Sequence, residues 1–206
     1  MAKKGKPRLT VLVSSSIYGR EPLLEQIASW LGTYGYEVWN SHLGTLPQVL
    51  NAKAYDSCIR AAENCDIFFG LITPRYGSGI DGDGGPAITH RELSRAIELR
   101  KPRLVLAHEH VVLARRIMID LGYKGKEGRK DLTLRKGADV IDDLRLIDMY
   151  EEATQEHLAI KDRDDNWVQK YNTDDDVGRY VTAQFSRYSD MERFVASWRE
   201  REGKGA

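Results

Sequence analysis

Residues 66–73 read Asp-Ile-Phe-Phe-Gly-Leu-Ile-Thr, and the fold turns on this stretch. No polar residue interrupts its interior, so neither face is marked for water. A strand written this way must be covered on both sides, the situation of a parallel sheet between helical layers. Pro74 stops it. Upstream, residues 9–14 (LTVLVS) have the same character, and downstream residues 103–107 (RLVLA) repeat it. Residues 36–39 and 167–171 are weaker strand candidates.

Helical patterns fill the intervals. One starts at Glu21, with Pro22 tolerated in its first turn, and carries a stripe of Leu23, Leu24, Ile27, Trp30 and Leu31 before Gly32 and Gly35 end it. Residues 51–64 place Cys58, Ile59 and Ala62 on one face. A third helix, with Leu93, Ala96 and Ile97, runs to Lys101-Pro102. Strand and helix therefore alternate, which predicts a parallel sheet with helices on both faces. Beyond His108 the pattern changes. Residues 111–121 read as helix and residues 122–137 as a polar, basic stretch. Residues 140–158 read as a long helix with an acidic face. Residues 174–185 and 190–201 read as helices capped by Thr173 and Ser189, and residues 203–206 as a frayed tail. The basic stretch 124–136 and the acidic helix 139–156 should lie near each other or across a dimer contact, with exposed pairs worth at most about 1 kcal/mol each.

The chain has 206 residues, 41% hydrophobic and 30% charged, enough to bury a core. Lys+Arg and Asp+Glu are both 31, so the net charge is zero, which argues against a general nucleic-acid binder. No apolar run reaches the roughly 18 residues of a membrane span. No signal-type stretch follows the basic start. Cys58 and Cys65 are too few for a disulfide scaffold or a four-cysteine zinc site, and a reducing cytoplasm is the expected compartment.

Ligands of open parallel sheets bind beyond the carboxyl ends of the strands. Ser14, Ser15, Ser16 and Tyr18 follow the first strand. Their hydroxyls and backbone N–H groups suit a ribose or an anion, or else form only a polar loop. No dinucleotide fingerprint or Walker loop is present. Arg75-Tyr76-Gly77 follows the third strand and offers a cation and an aromatic plate, or a plain loop ion pair. The glycine-rich segment 77–85, with Asp81 and Asp83, either wraps a ligand or is simply mobile. Glu92 has two readings. With Thr89 it spells a capping box; beside a ribose it is a carboxylate able to act as nucleophile or oxocarbenium stabiliser. His108-Glu109-His110 supplies too few ligands for zinc and reads as a polar strand end, so no metal and no cofactor are assigned.

These pieces, in order, resemble the family called domain of unknown function 4062, itself similar to TIR domains and nucleoside 2-deoxyribosyltransferases. The resemblance rests on Ser14-Ser15-Ser16, Cys58, Asp66, Arg75-Tyr76-Gly77, the run Ala87-Ile88-Thr89-His90-Arg91-Glu92, and Lys101-Pro102, and covers about residues 8–108. Ser16 stands where the family usually has Thr, and Gly19-Arg20-Glu21 departs from its acidic first-helix start. The resemblance implies a flavodoxin-like, TIR-like three-layer α/β sandwich with a five-stranded parallel sheet in the order 2-1-3-4-5. It implies one domain over residues 1–206: a core at 8–108, a helical insertion at 111–160, and the last strand and helices at 166–201. It also implies Glu92 as the catalytic residue. Ser14, Ser15, Ser16, Tyr18, Arg75, Tyr76, Gly77 and His90 would then hold a nucleotide or nucleoside, whose N-glycosidic bond, in NAD or a nucleoside, is hydrolysed or transferred. The alternative is a non-enzymatic signalling or interaction module of bacterial defence, acting as a homo-oligomer or with a separate protein partner. With no apolar run of spanning length, no membrane association is expected.

Overall fold

The computed structural model describes residues 7–47, 51, 53–77 and 85–202. Five strands, β1 (Thr10–Ser15), β2 (Glu37–Trp39), β3 (Ile67–Ile72), β4 (Arg103–His108) and β5 (Val168–Tyr171), form one sheet in the order β2-β1-β3-β4-β5. Every pairing is parallel, with Ser14 opposite Gly70 and Gly70 opposite Val105 in the central register. The chain goes to one side of β1 for β2 and to the other for β3, which places the topological switch between the carboxyl ends of β1 and β3.

The uninterrupted β3 run divides its side chains between two cores. Ile67, Phe69 and Leu71 face α1 (Glu21–Thr33) and α7 (Asp174–Phe185), meeting Leu24, Ile27, Val177 and Phe185. Phe68 and Ile72 face the opposite layer of α2 (Ala54–Asn64), α3 (Ile88–Glu98), α4 (Glu109–Asp120) and α6 (Arg145–Thr154), which supplies Ala62, Leu93, Val111 and Ile147. Gly70 is the one small residue of the run. A Cβ there would lie 2.8 Å from the Phe68 ring, so its absence lets that ring fold back over the strand.

A short helix, α5 (Gly125–Arg129), and the last helix, α8 (Tyr188–Glu202), complete the set. α8 lies across the amino ends of the strands. Tyr188 Oη accepts from the Leu9 N–H at 2.8 Å, Trp198 Nε1 donates to the Arg100 carbonyl at 2.7 Å, and Arg199 pairs with Asp66. Among the described residues no helix is long and apolar enough to cross a membrane.

Three expectations need correction. The helix read over residues 140–158 is only α6. Its upstream carboxylates serve other backbones: Asp142 accepts from the Tyr76 N–H at 2.8 Å and Asp143 from the Arg145 N–H at 2.8 Å. At its far end Gln155 turns left-handed, at φ 52°. Second, Ser189 lies inside α8 and does not precede it. Third, the basic and acidic segments do meet, but through a guanidinium that is out of solvent. Arg129 is 3% exposed and binds Asp148 and Glu151 at 2.5 and 2.7 Å. The Thr173 cap stands: its hydroxyl accepts from the Asp176 N–H while the Asp176 carboxylate accepts from the Thr173 N–H, a reciprocal capping box. Thr173→Ala should therefore lower unfolding free energy by about 1 kcal/mol in urea titrations. The glycine-rich ligand loop falls mostly on residues 78–84, and the frayed tail on residues 203–206; both lie outside the described residues.

Candidate functional site

At the switch point a cavity of about 370 Å³ opens beyond the ends of β1 and β3. Ser14, Ser15, Ser16 and Tyr18 line it from the first loop, Gly77 from the loop after β3, and Thr89 and Glu92 from α3. Cys58 of α2 and Glu21 at the start of α1 complete the wall.

Glu92 is set into the inner face of α3 beside Leu93 and is 4% exposed. The helix begins at Ile88 after Ala87, so Glu92 falls in the second turn, and no side chain caps the start. The capping-box reading of Thr89 and Glu92 is thereby overturned. The carboxylate instead accepts from Ser14 Oγ at 2.5 Å, across 78 residues of sequence. Burial pushes its pKa up to about 7, against the pull of the Ser14 hydroxyl and the Cys58 thiol. Burial, and then the neighbouring carboxylate, raise the Cys58 thiol to about 11, so it stays protonated and serves as a donor.

The other two serines are held by the protein. Ser15 Oγ donates to the Ser16 carbonyl at 3.0 Å. Thr73 Oγ1 gives its proton to the Arg75 carbonyl at 2.9 Å, so the 2.5 Å contact with Ser16 Oγ has Ser16 as donor. This network ties the first loop to the third. Gly77 has φ +85°, open to glycine, and its missing Cβ would be 3.4 Å from that of Ser16. Tyr18 stands at the rim, 64% exposed.

Arg75, Tyr76 and His90 do not line this cavity. Arg75 Nη1 reaches the Ala138 carbonyl at 3.1 Å. Tyr76 is buried, with the Arg145 guanidinium 4.4 Å above its ring. Its hydroxyl accepts from the Ala87 N–H at 3.2 Å and lies 2.7 Å from His90 Nδ1, while His90 Nε2 lies 3.0 Å from Glu152. The chain Tyr76–His90–Glu152 borders a separate cleft between α3 and α6. Arg75, Tyr76 and His90, expected from sequence to hold the ligand, thus turn away from the switch-point cavity. Sequence also missed Glu21 and Cys58, although Glu21 directly follows the loop of the first strand and opens its helix. His108 takes the part of a cap, its Nδ1 accepting from the His110 N–H at 3.2 Å. Burial, then the nearby His110, depress it to about 4, so it is neutral at pH 7.

The profile of "Domain of unknown function (DUF4062)" matches residues 10–186 of the 206-residue chain. The chain belongs to this family. No curated protein matches it. Among solved structures it is similar to a 2-desoxiribosyltransferase from Leishmania mexicana, at 15% identity and a TM-score of 0.38, over 74% of this chain and 100% of that one. In this member of the family the family motifs therefore divide. The serine run, Gly77 and Glu92 gather at one cavity, while Tyr76 and His90 brace the neighbouring helix α6.

Proposed function

We propose that the protein cleaves or transfers the N-glycosidic bond of a nucleoside or nucleotide, with Glu92 as the carboxylate at the anomeric carbon. The observation that carries this reading is the 2.5 Å bond from Ser14 to a Glu92 side chain that lines the switch-point cavity yet is almost fully buried. Ser14 holds Oε2, and the Cys58 thiol is the carboxylate's other donor, so two hydrogen bonds orient the group toward the cavity. In the proposed step the C1′–N bond breaks and its electron pair leaves with the base. A carboxylate oxygen of Glu92 bonds to C1′ or stabilises the positive charge there, and water or a second base then takes the sugar. A low-dielectric wall strengthens that interaction.

The carboxylate must be ionised to act. Its pKa of about 7 predicts that kcat/KM rises about tenfold per pH unit below 7 and levels off above it. Ser14→Ala removes a donor that holds the pKa down, so the midpoint should move to higher pH. The test is incubation of concentrated protein with NAD and with nucleosides, followed by chromatography for free nicotinamide or base. Absence of any product across pH 6–9 would refute the reading.

A further inference from the structure

The cavity's charge says which substrates of this class it accepts, an inference that rests on the function proposed above. Among the described residues the lining contains two carboxylates, Glu21 and Glu92, and no lysine, arginine or histidine. The arginines nearest in sequence point elsewhere. Arg20 pairs with Asp174 at 3.3 Å, Arg75 is spent on the Ala138 carbonyl, and Arg91 donates to the Tyr55 hydroxyl at 2.9 Å.

Glu21 matters most. It is the first residue of α1, where the N-terminal backbone dipole would otherwise favour a phosphate. Here the protein's own carboxylate holds that position. Pro22 behind it has no N–H to offer an anion. Glu21 makes no hydrogen bond or ion pair among the described residues, so no side-chain cation neutralises it at the cavity wall, and its oxygens remain able to accept from a sugar hydroxyl. The volume of about 370 Å³ lies at the small end of ligand pockets, the size for one nucleoside rather than two joined nucleotides.

We propose that this site takes unphosphorylated nucleosides and that Glu21 is the specificity-determining residue that rejects a 5′-phosphate. The experiment measures binding apart from catalysis. Full-length Glu92→Gln protein is titrated calorimetrically at pH 8 with purine and pyrimidine ribo- and 2′-deoxynucleosides, their 5′-monophosphates, and NAD. At least one nucleoside should bind tenfold or more tightly than its own monophosphate and than NAD. Adding Glu21→Lys should bring that ratio to one or reverse it. Monophosphate or NAD binding as tight as the nucleoside's overturns the inference, as does a ratio that Glu21→Lys does not move. No binding by any nucleoside overturns this inference, and no binding by any nucleoside, monophosphate or NAD overturns the proposed function as well. Selective binding by this variant, with no cleavage by the wild type, leaves the selectivity standing and overturns the proposed function alone.

Discussion

Glu92→Gln is expected to abolish base release and to stabilise the protein in the same stroke. The amide keeps the size of the side chain and an acceptor for Ser14 but cannot carry charge to C1′. Loss of a group acting at the reacting atom lowers kcat by about 10³-fold or more. The stability effect follows from burial. In the folded protein the pKa is raised from 4.5 to about 7, so the folded state holds its proton more firmly than the unfolded chain does. Stability is therefore unaffected below pH 4.5, falls as pH rises from there to 7, and stays reduced above 7. That deficit is about 3 kcal/mol by linkage, and Glu92→Gln recovers up to that amount. At pH 8 its Tm should exceed the wild type's by up to about 6–10 °C, and at pH 4 the two should coincide. An equal or lower Tm at pH 8 would contradict the burial argument. The capping reading predicts the opposite, a loss.

Arg129→Ala should produce the largest destabilisation of any polar substitution in the α5–α6 region, about 3 kcal/mol in urea unfolding. The guanidinium is nearly sealed, with Nη2 on Asp148 at 2.5 Å and both nitrogens Nη1 and Nη2 on Glu151 at 3.2 and 2.7 Å. Truncation leaves two partly buried carboxylates without their counter-charge, which costs far more than an exposed pair. Arg115 still reaches Glu151 at 3.0 Å, which keeps the estimate at the low end. For Glu151, burial opposes ionisation, but Arg129 and then Arg115 outweigh it and hold the carboxyl below its ordinary 4.5. A depressed pKa contributes stability above the unfolded value that is lost as pH falls through the folded one. The gap between wild type and variant should accordingly shrink below pH 4.5. A gap that is constant with pH would mean that lost packing, not lost charge, sets the cost.

The sheet was legible because β1, β3 and β4 lack polar alternation, and only cover on both faces explains such runs. Helix ends were harder. Thr89 and Glu92 have the spacing of a capping box whether or not a helix begins there. What decides is that Ile88 starts the helix and turns Glu92 inward, a tertiary fact. Asp142 and Asp143 look like members of an acidic helix face until their backbone partners are seen. The serine run and Glu92 could be assigned to one site because parallel strands deliver successive loops to the same edge. Tyr76 and His90 sit at that edge too, yet which way a loop side chain turns depends on Glu152, 62 residues beyond His90.

The strap formed by α8 has a consequence for the order in which the molecule assembles. Its contacts join Leu9 to Tyr188, Asp66 to Arg199, and Arg100 to Trp198, spans of 179, 133 and 98 residues. Closing loops of that length yields little until most of the sheet is already in place. The amino ends of β1 and β3 must therefore wait, half-built, for the last helix, while Ser14 at the carboxyl end of β1 and Glu92 of α3 are joined across only 78 residues. During synthesis the edge of the sheet that bears Ser14 would be the earlier part of the fold and the opposite edge the later one, exposed to chaperones and proteases until α8 arrives.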